Sequence, residues 1–197
     1  MGNLSEHAYA FPFIAGIIAI IALVCPAAYY STPSGSNMGY GILVWMFGLV
    51  VYRNKGQSRI YWFNTDAGEY VDIFGTEFFG FITSMACTAV IAMSAIVFMI
   101  TAQRVKHGSM GEDKAAKVWA IMAILMIVAS ITWLISVEYY YGIYSANIDK
   151  GYPAIVKFIF GSGKTTQFGF WSFFSPTFGI IGPLLAAAIA LIGVYVK

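Results

Sequence analysis

Long uncharged stretches alternate with shorter polar ones along this chain. Four stretches are apolar over about the 20 residues that a helix needs to cross a bilayer. They cover positions 11–30, 78–101, 116–137 and 176–196, each without charge in its central part. In the fourth, Ser175 is placed to cap and Pro176 to take the first helical position. Gly182 and Pro183 inside it predict a kink, or a carbonyl freed for a neighbour. The expected fold class is an all-α membrane protein, a single tetraspan domain over 1–197 built on a four-transmembrane-helix bundle, with a small extracellular β-hairpin or sheet.

The extracellular element comes from the first outer loop, 31–75. Positions 39–52 are uncharged and strongly apolar. As a helix this run would extend only about 21 Å, short of the ~30 Å hydrocarbon core. It is rich in Val, Ile, Trp, Phe and Tyr, and Asn54-Lys55-Gly56 follows it, ahead of the aromatic run from Arg59 to Phe63. Two β-prone runs around an Asn/Gly turn predict a hairpin over 40–63. The alternative is a re-entrant or fifth helix, and a fifth span would move the C-terminus to the other side.

Orientation follows from Lys and Arg in short loops. The inner loop, 102–115, with the residues beside it holds Arg104, Lys106, Lys114 and Lys117. The loops at 31–75 and 138–175 are longer and hold three cations each: Arg53, Lys55 and Arg59 in one, Lys150, Lys157 and Lys164 in the other. The dense short loop is therefore expected in the cytoplasm, together with both termini, in a multi-pass protein of the cell membrane. Tyr139, Tyr140, Tyr141 and Tyr144 suit an outer aromatic belt. No positive stretch precedes the first span, so it is read as a span rather than a cleaved signal.

Composition agrees with lipid as the outer solvent. The 197 residues are 59% hydrophobic and 10% charged, where soluble domains carry about 25% charged residues. The net charge of +2 argues against nucleic acid as a partner.

Few side chains suggest chemistry. Cys25 and Cys87 both fall in predicted spans and read as small buried hydrophobes. His7 and His107 lie outside the spans, so no axial haem ligand stands at helix depth. Gly161-Ser-Gly-Lys-Thr-Thr166 resembles the end of a phosphate-binding loop, but Phe158 stands where that loop needs glycine, and no nucleotide is expected. Asp66, Glu69 and Asp72 share one helical face ahead of the second span. They suit the dipole of a helix start, and as oxygen ligands they form a weak candidate cation site. Glu138 closes the third span at its outer boundary. No cofactor is expected. Small residues recur at helical spacing as Ser84, Thr88 and Ala92 and as Gly182, Ala186 and Ala190, faces that allow close helix contact.

This layout, with a long first outer loop, a short basic inner loop and a shorter second outer loop, resembles the claudin and peripheral-myelin-protein-22 superfamily. Trp45-Met-Phe-Gly48-Leu49 places Trp, Gly and Leu in the loop where that family has a Gly-Leu-Trp signature, in altered order. Tyr70-Val-Asp72 is similar to its aromatic-Asp pattern before the second span. The family's two loop cysteines are absent. The resemblance implies an extracellular sheet resting on a left-handed bundle, and action by lateral association rather than catalysis.

An apolar hairpin cannot stand free in water, and apolar area left uncovered marks an interface. Trp45, Gly48, Leu49, Tyr61, Trp62 and Phe63 are the expected interface residues. The expected function is that of a non-enzymatic membrane protein whose partners are the lipid bilayer and itself or other membrane proteins. The alternatives are an accessory subunit of a larger membrane enzyme and, behind it, a carrier or enzyme for a lipophilic substrate.

Overall fold

The computed structural model describes residues 7–31, 40–54, 57–62, 78–146 and 175–196. Four helices are present among them: α1 (Ala10–Val24), α2 (Phe78–Lys106), α3 (Glu112–Ala146) and α4 (Phe178–Val196). Stretches of α2, α3 and α4 are long and apolar enough to cross a membrane, while α1 is a shorter apolar helix of 15 residues. Around the bundle, α1 packs against α2 and α4, and α3 packs against the same two helices.

The bundle is small inside and large outside. Ala15, Ala19 and Ala22 of α1, Ala95 and Ala102 of α2, Ala123 of α3 and Ala186, Ala187 and Ala190 of α4 are buried. Ile17, Ile20, Met93, Ile96, Ile124, Val128, Ile181 and Leu185 face outward. Water would penalise that outer surface, whereas lipid accepts it, and small inward residues let backbones approach closely. A methyl added at Gly16 would stand 2.7 Å from the Ala95 carbonyl oxygen, and one at Gly182 would stand 2.5 Å from Ala22 Cβ. The stripe Gly182, Ala186 and Ala190 is buried throughout. On α2 the buried line runs instead through Ser84, Cys87, Ile91, Ala95 and Phe98, leaving Thr88 and Ala92 half-buried.

Helix boundaries differ from the apolar spans. The span expected over 11–30 is helical only to Val24, because Pro26 disfavours helical backbone at Cys25, which is extended with φ −92° and ψ 153°. Strand β1 (Ala28–Ser31) follows. Helix α2 overruns its expected end at 101 by five residues, since charged side chains do not interrupt helical hydrogen bonds. It stops at Gly108, whose φ of 70° suits glycine at a helix C-terminus. There Ser109 N–H donates to the Arg104 carbonyl at 2.8 Å and Gly108 N–H to that of Val105 at 2.9 Å. The inner loop expected over 102–115 is thus reduced to 107–111. Helix α3 continues past 137 to Ala146, so Glu138 and the tyrosine run are helical rather than in the loop. Ser175 and Pro176 do not start α4; they form the short strand β5, and the helix begins at Phe178.

The open sheet also differs from a two-stranded hairpin over 40–63. The run read as one strand folds back at Trp45–Gly48, giving β2 (Tyr40–Val44) and β3 (Leu49–Asn54), followed by β4 (Gln57–Trp62). The strand order is β4-β3-β2-β1-β5, with all neighbours antiparallel. Ala28 pairs with Val44 on one side and Pro176 on the other, so chain from both ends of the sequence meets in one sheet.

A buried polar contact joins α2 to α3. Trp119 Nε1–H donates to Thr101 Oγ at 2.7 Å, and the Thr101 hydroxyl turns back to the Val97 carbonyl at 2.6 Å. Thr101→Val leaves the indole N–H buried without an acceptor, at an expected cost of about 1–3 kcal/mol. Thermal unfolding in a mild detergent should show the loss, and adding Trp119→Phe should recover part of it.

Candidate functional site

The sheet is seated on the bundle at a collar of backbone groups, and this is where the described polar contacts concentrate. Its first part is the break after α1. The Pro26 carbonyl accepts two hydrogen bonds from the start of α4: the Thr177 hydroxyl and Gly179 N–H, the latter at 2.8 Å. Thr177 N–H donates to the Ala27 carbonyl at 3.0 Å, and Ala27 N–H donates to the Val44 carbonyl at 2.7 Å. The Thr177 carbonyl in turn accepts the N–H groups of Ile180 and Ile181, each at 3.0 Å. Thr177 therefore opens α4 with its backbone while its side chain ties that helix to the end of α1.

The second part is the β2–β3 turn. Trp45 N–H donates to the Leu49 carbonyl at 2.8 Å and Gly48 N–H to the Trp45 carbonyl at 3.0 Å. Gly48 has φ 92°, a conformation that a side chain would oppose. The turn rests on the bundle. Met46 is fully buried, and its carbonyl accepts Trp133 Nε1–H of α3 at 3.1 Å. Trp45 Nε1–H donates to the last carbonyl of α1, that of Val24, also at 3.1 Å.

The expected interface residues thus have different places. Trp45 and Leu49 are half-buried and Gly48 is buried, all at the foot of the sheet against the helices. Tyr61 and Trp62 lie on β4, at one edge. Phe63 and the trio Asp66, Glu69 and Asp72 lie outside the described residues. So do Tyr70, the Gly161–Thr166 segment and the aromatic residues of 147–174. Among the described residues no cluster of histidine, cysteine and carboxylate could hold a metal ion, and Cys25 and Cys87 are free thiols.

Sequence reasoning missed Pro26, Thr177, Gly179 and Trp133 as the residues that join the two layers. Pro26 alone left a signal, since a proline at the end of an apolar run marks a helix stop. The other three are ordinary in local sequence and acquire their role from distant chain: Trp133 from Met46, 87 residues away, and Thr177 and Gly179 from Pro26, the former 151 residues away.

No known family model matches this chain, and no curated protein matches it.

Two comparisons test the collar. Trp133→Phe orphans the buried Met46 carbonyl and should cost about 1–3 kcal/mol, whereas Trp45→Phe, at an exposed bond, should cost about 1 kcal/mol or less. Equal losses on thermal unfolding would contradict this ranking. At Gly179 a Cβ would fall onto the Pro26 carbonyl oxygen and stand 2.6 Å from that of Cys25. Gly179→Val is therefore expected to lower the unfolding temperature more than Gly193→Ala, where the nearest atom to an added Cβ is Pro12 Cδ at 2.9 Å.

Proposed function

We propose that this chain is a non-enzymatic, claudin-like tetraspan protein that associates laterally with copies of itself through its sheet. The observation that carries the reading is the open edge at β4. Among the described residues no strand pairs with the outer side of Gln57–Trp62, and a row of unpaired backbone donors and acceptors is a template for another chain. Tyr61 and Trp62 place aromatic residues on that edge, a type enriched at interfaces.

In this reading all four helices cross the membrane with both termini in the cytoplasm, and the sheet lies outside. The density of cations around the 107–111 connection supports that orientation. At 15 residues α1 extends roughly 22 Å as a helix, less than the hydrocarbon core. The collar supports a complete crossing: irregular backbone is tolerated at membrane depth where protein satisfies its polar groups. The Pro26 and Ala27 carbonyls and the Ala27 N–H all have partners within the chain.

Native mass spectrometry of the full chain in a mild detergent tests the proposal. A homo-oligomer is expected, reduced to monomer by Ile60→Pro or by Ser58→Pro, each of which removes one donor from the outer side of β4, whereas the intervening Arg59 N–H faces β3. An oligomer indifferent to both substitutions would overturn the role of β4. Stoichiometric foreign subunits would instead make this an accessory chain.

A further inference from the structure

We propose that the charged end of the α1–α2 seam binds one anionic phospholipid, its acyl chain in an apolar groove and its phosphate at Lys106 and His107. The groove holds about 300 Å³, at the small end for a ligand site. Tyr9, Phe13 and Ile14 of the first helical segment form one wall, and Gln103, Lys106 and His107 form the polar rim on the other. Ala10 and Ala102, one from each helix, line it with only methyl groups and so leave its space unfilled.

Charge complementarity selects the occupant. None of the described lining residues is acidic, and Lys106 and His107 are both exposed at the rim, with Arg104 exposed two residues earlier. The site stands where the apolar surface of α2, still carrying the outward-facing Ile96 and Ile100, gives way to charge. That is the level of a lipid headgroup. A lysine there keeps its ammonium in the interface while its stem lies along apolar surface. An uncharged amphiphile would fill the groove but leave the Lys106 ammonium without a counter-ion; a free anion would meet the rim and leave the groove empty. A phospholipid with net negative charge meets both. This inference requires only that the helices lie in a bilayer, and it is independent of what the sheet binds.

The test uses the full chain in detergent, equilibrated with mixed vesicles of equal phosphatidylglycerol and phosphatidylcholine, with retained lipid counted by native mass spectrometry. One phosphatidylglycerol should be kept in preference to phosphatidylcholine. The double substitution Lys106→Gln and His107→Gln, at exposed positions that the fold tolerates, should lower that preference by about fivefold or more. Lys114→Gln with Lys117→Gln, cations outside the groove, should leave it unchanged. Ala10→Leu should abolish retention of either lipid. Equal retention of the two lipids, an equal fall in both double variants, or displacement by excess inorganic phosphate alone would overturn the proposal.

Discussion

The structure depends on how the chain leaves α1. A backbone in or near lipid cannot abandon helical hydrogen bonding unless other protein groups replace it, since no water is available to do so. Pro26 forces the exit by disfavouring helical backbone at the residue before it. The Thr177 hydroxyl and Gly179 N–H then satisfy the Pro26 carbonyl, and Val44 and Thr177 satisfy the two sides of Ala27. With those partners in place, the chain turns at once into β1 and the sheet begins at the bundle's surface. The close seating has a steric condition as well, because any side chain at position 179 would occupy the space of the Cys25 and Pro26 carbonyls.

The same economy of space governs the helices. Hydrophobicity cannot drive them together when lipid is as apolar as their side chains, so packing and a few internal hydrogen bonds must do it. Alanine and glycine line the contacts and bring backbones close, while isoleucine and methionine face out. Among the described residues the two buried tryptophans each have a partner: Trp119 donates to Thr101 and Trp133 to the Met46 carbonyl. Trp133 thus serves two layers, filling the core of the bundle and holding the turn of the sheet above it. Strand β4 lies at the far edge of the described sheet, joined to the collar through β3 and β2.

Much of this was legible in the residues before any coordinates. The apolar runs show where helices stand, and the β-branched and aromatic character of 40–62 marks it as strand rather than helix. The ends of these elements were not legible. A polar residue ends a span in lipid but does not end a helix, so α2 and α3 continue through Arg104 and Glu138. Gly48 could have signalled the fold-back between β2 and β3, yet a glycine in an aromatic run is as compatible with one long strand. Ser175 and Pro176 carried the marks of a helix start and became a strand, because β1 offers a free edge beside them.

By itself, then, the sequence determined the solvent, the apolar helices and the strand-forming loop, because each depends on side-chain chemistry summed over neighbouring positions. The tertiary structure decided where α1 stops, which residues hold the sheet, and which of the described strands lies at its edge. Those outcomes turn on partners for individual backbone groups, and the nearer in sequence of the two that the Pro26 carbonyl has, Thr177, lies 151 residues away. A hydrogen bond over that separation leaves no mark on local composition; it exists only once the helices have brought the two ends of the chain together.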